Sequence, residues 1–133
     1  MTDLVLVTHS GFGTAIRQVA ESIFGQPTRA TVFDLAPDED REQSLARLTE
    51  HLRRACSGAP VLILTDLPGA TPHNLACAAA EAACPAAPVV TGLNLPMLLR
   101  ALNHSHRPAA ELAELAVAGG LRSTFIGGLH GGG

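Results

Sequence analysis

The sequence predicts an α/β domain: a doubly wound, mostly parallel sheet in the order 2-1-3-4, with helices on both faces. Three observations lead there. Short, wholly apolar runs alternate with longer segments whose apolar residues recur at helical spacing. Glycine or proline stands at most changes of pattern. No repeat and no linker interrupts the alternation, and 133 residues with 47% apolar content suit one core. The domain is expected over residues 1–126, with a Gly-rich tail over 127–133.

The elements follow in order. Residues 3–8 form a near-continuous Leu/Val run, the pattern of a strand buried on both faces. His9-Ser10-Gly11-Phe12-Gly13 is a turn into a first helix over 13–24, which Gly25 and Pro27 end. Residues 30–35 are the second strand, and Pro37 sets the acidic turn that follows. The second helix covers 41–56: Leu45, Leu48, Leu52 and Ala55 share one stripe. Residues 60–65 make the third strand. Asp66 and the loop Leu67–Thr71 lead to an Ala-rich helix over 72–84, with Thr71 as its N-cap and Pro72 as its first residue. Residues 87–92 are the fourth strand, and a turn at Leu93–Pro96 opens a fourth helix ending near Asn103. Pro108 opens a fifth helix, which Gly119-Gly120 is expected to stop. Leu121–Ile126 then reads as a terminal strand, antiparallel at one edge.

Composition excludes several function classes. All nine basic residues are Arg, scattered, within a net charge of −3; no basic stripe suits nucleic acid. Four Phe, no Trp and no Tyr leave no platform for stacking bases. No apolar run reaches the ~20 residues of a membrane span. The first residues lack a signal pattern, so a cytoplasmic protein without membrane insertion is expected. Cys56, Cys77 and Cys84 show no close pairing and are expected to be free thiols. His104-x-His106 has no third ligand at useful spacing, so neither a metal nor another cofactor is expected. His51 reads as a surface residue, His73 as a rim residue of the site below, and His130 as part of the tail.

The strand order carries the chemistry. Connections reverse direction between strands one and three, and ligands bind outside the carboxyl ends of strands at such a point. His9 ends strand one and Asp66 ends strand three, so the topology sets them side by side. A carboxylate fixes the tautomer of a neighbouring imidazole and stabilises positive charge on it. The other ring nitrogen is then a nucleophile. Gly11, Gly13 and the Gly69–Thr71 loop each lead into a helix and offer N–H groups to phosphate oxygens. Asp34 is a rival partner for His9, in an acidic loop without glycine.

Several motifs together resemble one family: Thr8-His9, Asp34 with Pro37, Asp66-x-x-Gly69-x-Thr71-Pro72-x-Asn74, and Gly92-x-Asn94-Leu95-Pro96-Met97. They resemble the EIIA component of the mannose family of the bacterial phosphoenolpyruvate-dependent sugar phosphotransferase system, over about residues 3–120. The resemblance implies a homodimer that exchanges the last strand between subunits. It implies that His9 accepts a phosphoryl group from HPr and passes it to an EIIB protein, with Asp66 orienting the ring. Gly11, Gly69, Ala70 and Thr71 would bind the phosphoryl group, and Phe12, Leu67, Pro68 and Met97 would form an apolar rim for the partners. Ala70 and Thr71 stand where the family pattern has a second glycine and a serine, and His9-Ser10 replaces the frequent His-Gly. Alternatives are a regulatory module without sugar transport, the related phosphotransfer subunit of dihydroxyacetone kinase, and a phosphohistidine-type hydrolase. The hydrolases place Arg before the nucleophile, where this chain has Thr8.

Overall fold

The computed structural model describes residues 1–128. The elements are β1 (Asp3–His9), α1 (Phe12–Phe24), β2 (Thr31–Leu35), α2 (Arg41–Gly58), β3 (Val61–Thr65), α3 (Thr71–Ala83), β4 (Val89–Thr91), α4 (Leu95–Asn103) and α5 (Ala109–Arg122). The sheet runs β2-β1-β3-β4. Every neighbouring pair is parallel.

The central strands β1 and β3 alternate their side chains between two cores, as a pleated strand must. Leu4, Leu6, Leu62 and Leu64 face α1, α4 and α5, where Ile16, Leu98 and Leu112 complete one cluster. Val5, Val7, Val61 and Ile63 face α2 and α3, where Leu48, Leu52, Leu75 and Ala79 complete the other. Each such buried Leu or Val contributes about 2 kcal/mol of transfer free energy. The Ala-rich face of α3, with Ala76, Ala79 and Ala80 buried, keeps that helix close to the sheet.

Helix starts follow local chemistry. Asp40 caps α2, its carboxylate accepting from the Glu42 N–H at 2.9 Å. Asn94 caps α4, its Oδ1 accepting from the Met97 N–H at 2.9 Å. Thr71 does not cap α3 as expected. Ala70 is the extended N-cap residue, Thr71 is the first helical residue, and no side chain caps the helix.

The C-terminal end departs from expectation. Helix α5 runs through Gly119-Gly120 to Arg122, and residues 123–128 join no strand. The glycine pair lets α5 pass close to α4 rather than stopping it. A Cβ on Gly119 would stand 2.9 Å from Cβ of Arg100, and one on Gly120 would stand 3.0 Å from Nδ2 of Asn94 and 3.2 Å from Cε of Met97. The Ser123 hydroxyl then donates to the Gly119 carbonyl at 2.8 Å, closing the helix end. The four described strands therefore form a purely parallel sheet, without the antiparallel edge strand expected over 121–126. His130 and most of the expected tail lie outside the described residues.

The cysteines also depart from expectation. Cys56, near the end of α2, and Cys84, the C-cap residue of α3, are joined by a disulfide with Cα atoms 6.0 Å apart. Cys77 is free and exposed. No helix among the described residues is long and apolar enough to cross a membrane.

Candidate functional site

Five consecutive buried residues carry β1 to the carboxyl edge of the sheet, where His9 emerges. Its side chain is 51% exposed. Register places Val7 of β1 opposite Thr65 of β3, so the next residue of the chain, Asp66, arrives beside His9. Oδ2 of Asp66 accepts two hydrogen bonds from His9: from the backbone N–H at 2.9 Å and from Nδ1 at 2.7 Å. An ionised carboxylate only accepts, so Nδ1 carries the proton and Nε2 keeps the free lone pair.

The turn after His9 is held from below. Gly11 adopts φ 88°, a left-handed conformation that only glycine enters without strain, and it is the N-cap residue of α1. Thr8 is buried. Its Oγ1 accepts from the Gly13 N–H at 2.8 Å and lies 2.8 Å from Oδ1 of Asp34. The Asp34 carboxylate also accepts from the Gly13 N–H at 3.1 Å and from the Thr14 hydroxyl at 2.6 Å. Asp34 therefore caps the first turn of α1 and makes no bond to the imidazole. Burial alone would push its carboxyl up; hydrogen bonds from Thr14, Thr8 and the Gly11 backbone outweigh this and hold its pKa below the usual carboxylate value.

The second loop approaches from β3. Gly69 takes φ 79°, and the Asn74 amide donates to the Gly69 carbonyl at 3.2 Å, closing the loop onto α3. Ala70 has φ −81°, so alanine fits that position without strain. Thr71 is exposed, with its hydroxyl free of the capping role. At the start of α3 the Ala70 N–H donates to the Leu67 carbonyl at 3.3 Å and Pro72 has no N–H, which leaves those of Thr71 and His73 without an intrahelical partner.

A cavity of about 440 Å³ opens beside His9 and is lined by Ser10, Thr71, Arg41 and Glu39 among others. Glu39 is already engaged. Its carboxylate accepts from the Ser44 hydroxyl at 2.6 Å, the Ala36 N–H at 3.2 Å and the Arg47 guanidinium at 3.1 Å. These contacts, led by Ser44 and Ala36, hold its pKa low.

The expected apolar rim divides. Phe12 and Leu67 are 40% and 54% exposed, and Pro68 is exposed beside Leu67. Met97 is not a rim residue. It is 4% exposed, because its position in the first turn of α4 faces the core under Gly120. The other histidines lie apart from the pair. His73 turns inward, with Nδ1 2.8 Å from the Thr65 hydroxyl and Nε2 3.5 Å from the Cys77 sulfur. His51 packs edge-on to Phe33 at 5.0 Å; burial, then the nearby Arg54 charge, lowers its pKa. The rings of His104 and His106 lie tilted by 40° with centroids 6.1 Å apart, and no group of three metal-ligating side chains occurs among the described residues. Arg41 is the site residue the sequence reading missed. Its only signal was its place at the start of a helix whose N-terminus meets the same sheet edge.

Fold and site together define a doubly wound α/β domain with a histidine–carboxylate pair at its topological switch point. A sequence model described as the fructose IIA component of the phosphotransferase system, EIIA-man, matches residues 3–117, and the chain belongs to this family. Solved structures agree. The chain is similar to a mannose/sorbose-specific IIA subunit of the phosphotransferase system from Enterococcus faecalis, with 27% identity, 96% of each chain covered and a TM-score of 0.87. It shares the fold of a phosphotransferase component EIIA from Streptococcus agalactiae, at 22% identity over 95% of this chain and 97% of that one, with a TM-score of 0.81. It likewise shares the fold of a IIA protein associated with the fucose utilization operon of Streptococcus pneumoniae, at 24% identity over 94% and 92%, with a TM-score of 0.79.

Proposed function

We propose that this chain is a cytoplasmic phosphocarrier that accepts a phosphoryl group from phospho-HPr on Nε2 of His9 and passes it to an EIIB protein. The observation that carries this reading is the 2.7 Å bond between Nδ1 of His9 and Asp66, which directs the free lone pair away from the carboxylate. Nε2 attacks phosphorus as the P–N bond to the donor imidazole breaks. The leaving ring takes the electron pair, and no water is consumed. Asp66 stabilises the positive charge that grows on the His9 ring, and positioning supplies the rest. The N–H groups of the Gly69–Thr71 loop, with the Thr71 hydroxyl, take the phosphoryl oxygens, while Gly11 shapes the turn and the N–H groups at the start of α1 serve Asp34. Phe12, Leu67 and Pro68 supply the apolar rim on which the two partners dock in turn.

The protein acts as a homodimer in which the segment Leu121–Ile126 is exchanged between subunits. Exposed Phe125 and Ile126, beyond the last helix of the single chain, favour this.

The test is labelling. The protein is incubated with phosphoenolpyruvate, Enzyme I and HPr, and acid-labile, alkali-stable phosphate is measured. The unmodified chain should label and His9→Ala should not. Equal labelling of both would sink the assignment.

A further inference from the structure

We propose that Arg41 is a phosphoryl-binding cation, reaching across the cavity beside His9 to the phosphoryl group carried there. The inference rests on the carrier reading and goes beyond it by naming the charge that meets the transferred dianion. The chain has no Lys, so any side-chain cation other than histidine must come from its nine Arg. Arg29, Arg47, Arg53, Arg54 and Arg107 are held in ion pairs, and Arg17 donates to the Ala30 carbonyl at 3.2 Å. Arg41 alone lines the same cavity as His9, Ser10 and Thr71.

Its surroundings leave it free. Among the described residues Arg41 enters no ion pair within 4.0 Å. The one carboxylate in the cavity lining, Glu39, is bound to Ser44, Ala36 and Arg47 instead. Arg41 is also the first residue of α2, so its base is fixed by a helix whose start Asp40 caps. A guanidinium presents a planar fork of donors that matches phosphate oxygens. The cavity, about 440 Å³ and open, admits both the side chain and the anion.

The experiment compares the full chain with Arg41→Gln and Arg41→Lys, each labelled from phosphoenolpyruvate through Enzyme I and HPr. Transfer kinetics, the lifetime of the phosphohistidine and the melting temperature are read. Arg41→Gln should label on His9 but lose about tenfold in kcat and in phosphohistidine lifetime, the size of one charge-assisted contact. Its KM for phospho-HPr and its melting temperature should hold. Arg41→Lys, which keeps the charge, should recover part of the loss. A kcat for Arg41→Gln within about twofold of the parent overturns the inference, as does a loss confined to KM, which would mean a contact with the donor protein. If the unmodified chain takes no label on His9, the carrier reading falls and this inference falls with it. If the unmodified chain and Arg41→Gln both take label on His9 at the same rate, the Arg41 role falls and the carrier reading stands.

Discussion

One oxygen of Asp66 holds both the main chain and the ring of His9, at 2.9 and 2.7 Å. The imidazole therefore cannot turn without breaking the bond that sets its tautomer. In Asp66→Asn, an amide oxygen placed on His9 keeps the geometry and removes the charge; an amide nitrogen placed there reverses the tautomer. Phosphoryl transfer should fall by about 10²-fold or more with the circular dichroism spectrum unchanged. Rapid-quench measurement of the phosphorylated chain checks this; a loss smaller than about threefold would make Asp66 a turn residue only.

Gly13 has no room for a side chain. A Cβ there would lie 2.8 Å from Asp34 Oδ1 and Val32 Cγ1, and 2.9 Å from Thr8 Oγ1. Gly13→Ala should cost about 1–3 kcal/mol in urea unfolding, through displacement of the turn. Gly58→Ala, with nothing within 4 Å of the new Cβ, should change stability by less than about 1 kcal/mol. Similar effects at the two positions would remove close approach as the reason for Gly13.

Asp34 makes acid stability measurable. Its folded pKa is depressed below the ordinary value of 3.8. Its contribution is thus present above that value and lost as pH falls through the lower, folded one. Asp34→Ala should lose about 2 kcal/mol near neutrality, and the gap to the parent should narrow as both are taken below pH ~3.8. Urea midpoints at a series of pH values decide it. A gap that stays constant or widens in acid contradicts the hydrogen-bonded carboxylate.

The disulfide between Cys56 and Cys84 predicts a thiol count. Under denaturing conditions without reductant, alkylation and mass spectrometry should find one modified thiol, Cys77; after reduction, all three cysteines should react. Three reactive thiols before reduction would show the pair to be unlinked.

Much of this molecule was legible from short-range pattern. Apolar runs such as Leu4–Val7 and Val61–Leu64 are unambiguous when both faces of a sheet are covered. Strand order then brought His9 towards Asp66 without any contact being known. What escaped depends on neighbours distant in sequence. Gly119-Gly120 looks like a helix stop by propensity, yet the surface of α4 selects glycine there and the helix continues. Met97 belongs to an apolar motif near the site, and only the packing of α4 against α5 shows it is buried. Cys56 and Cys84 meet only because α2 and α3 lie side by side. Arg41 enters the cavity through the β2–α2 turn, whose path acidic composition alone does not describe.

Ala70 has a consequence for how the loop before α3 is made ready. At φ −81° the backbone asks nothing of glycine there, and alanine withholds from the unfolded chain the conformations a glycine would visit. That restriction favours the folded loop by about 0.4–1 kcal/mol. It would also leave less wandering to be arrested at the proposed phosphoryl group. Stiffness in this loop is thus written into the chain through states it never occupies once folded.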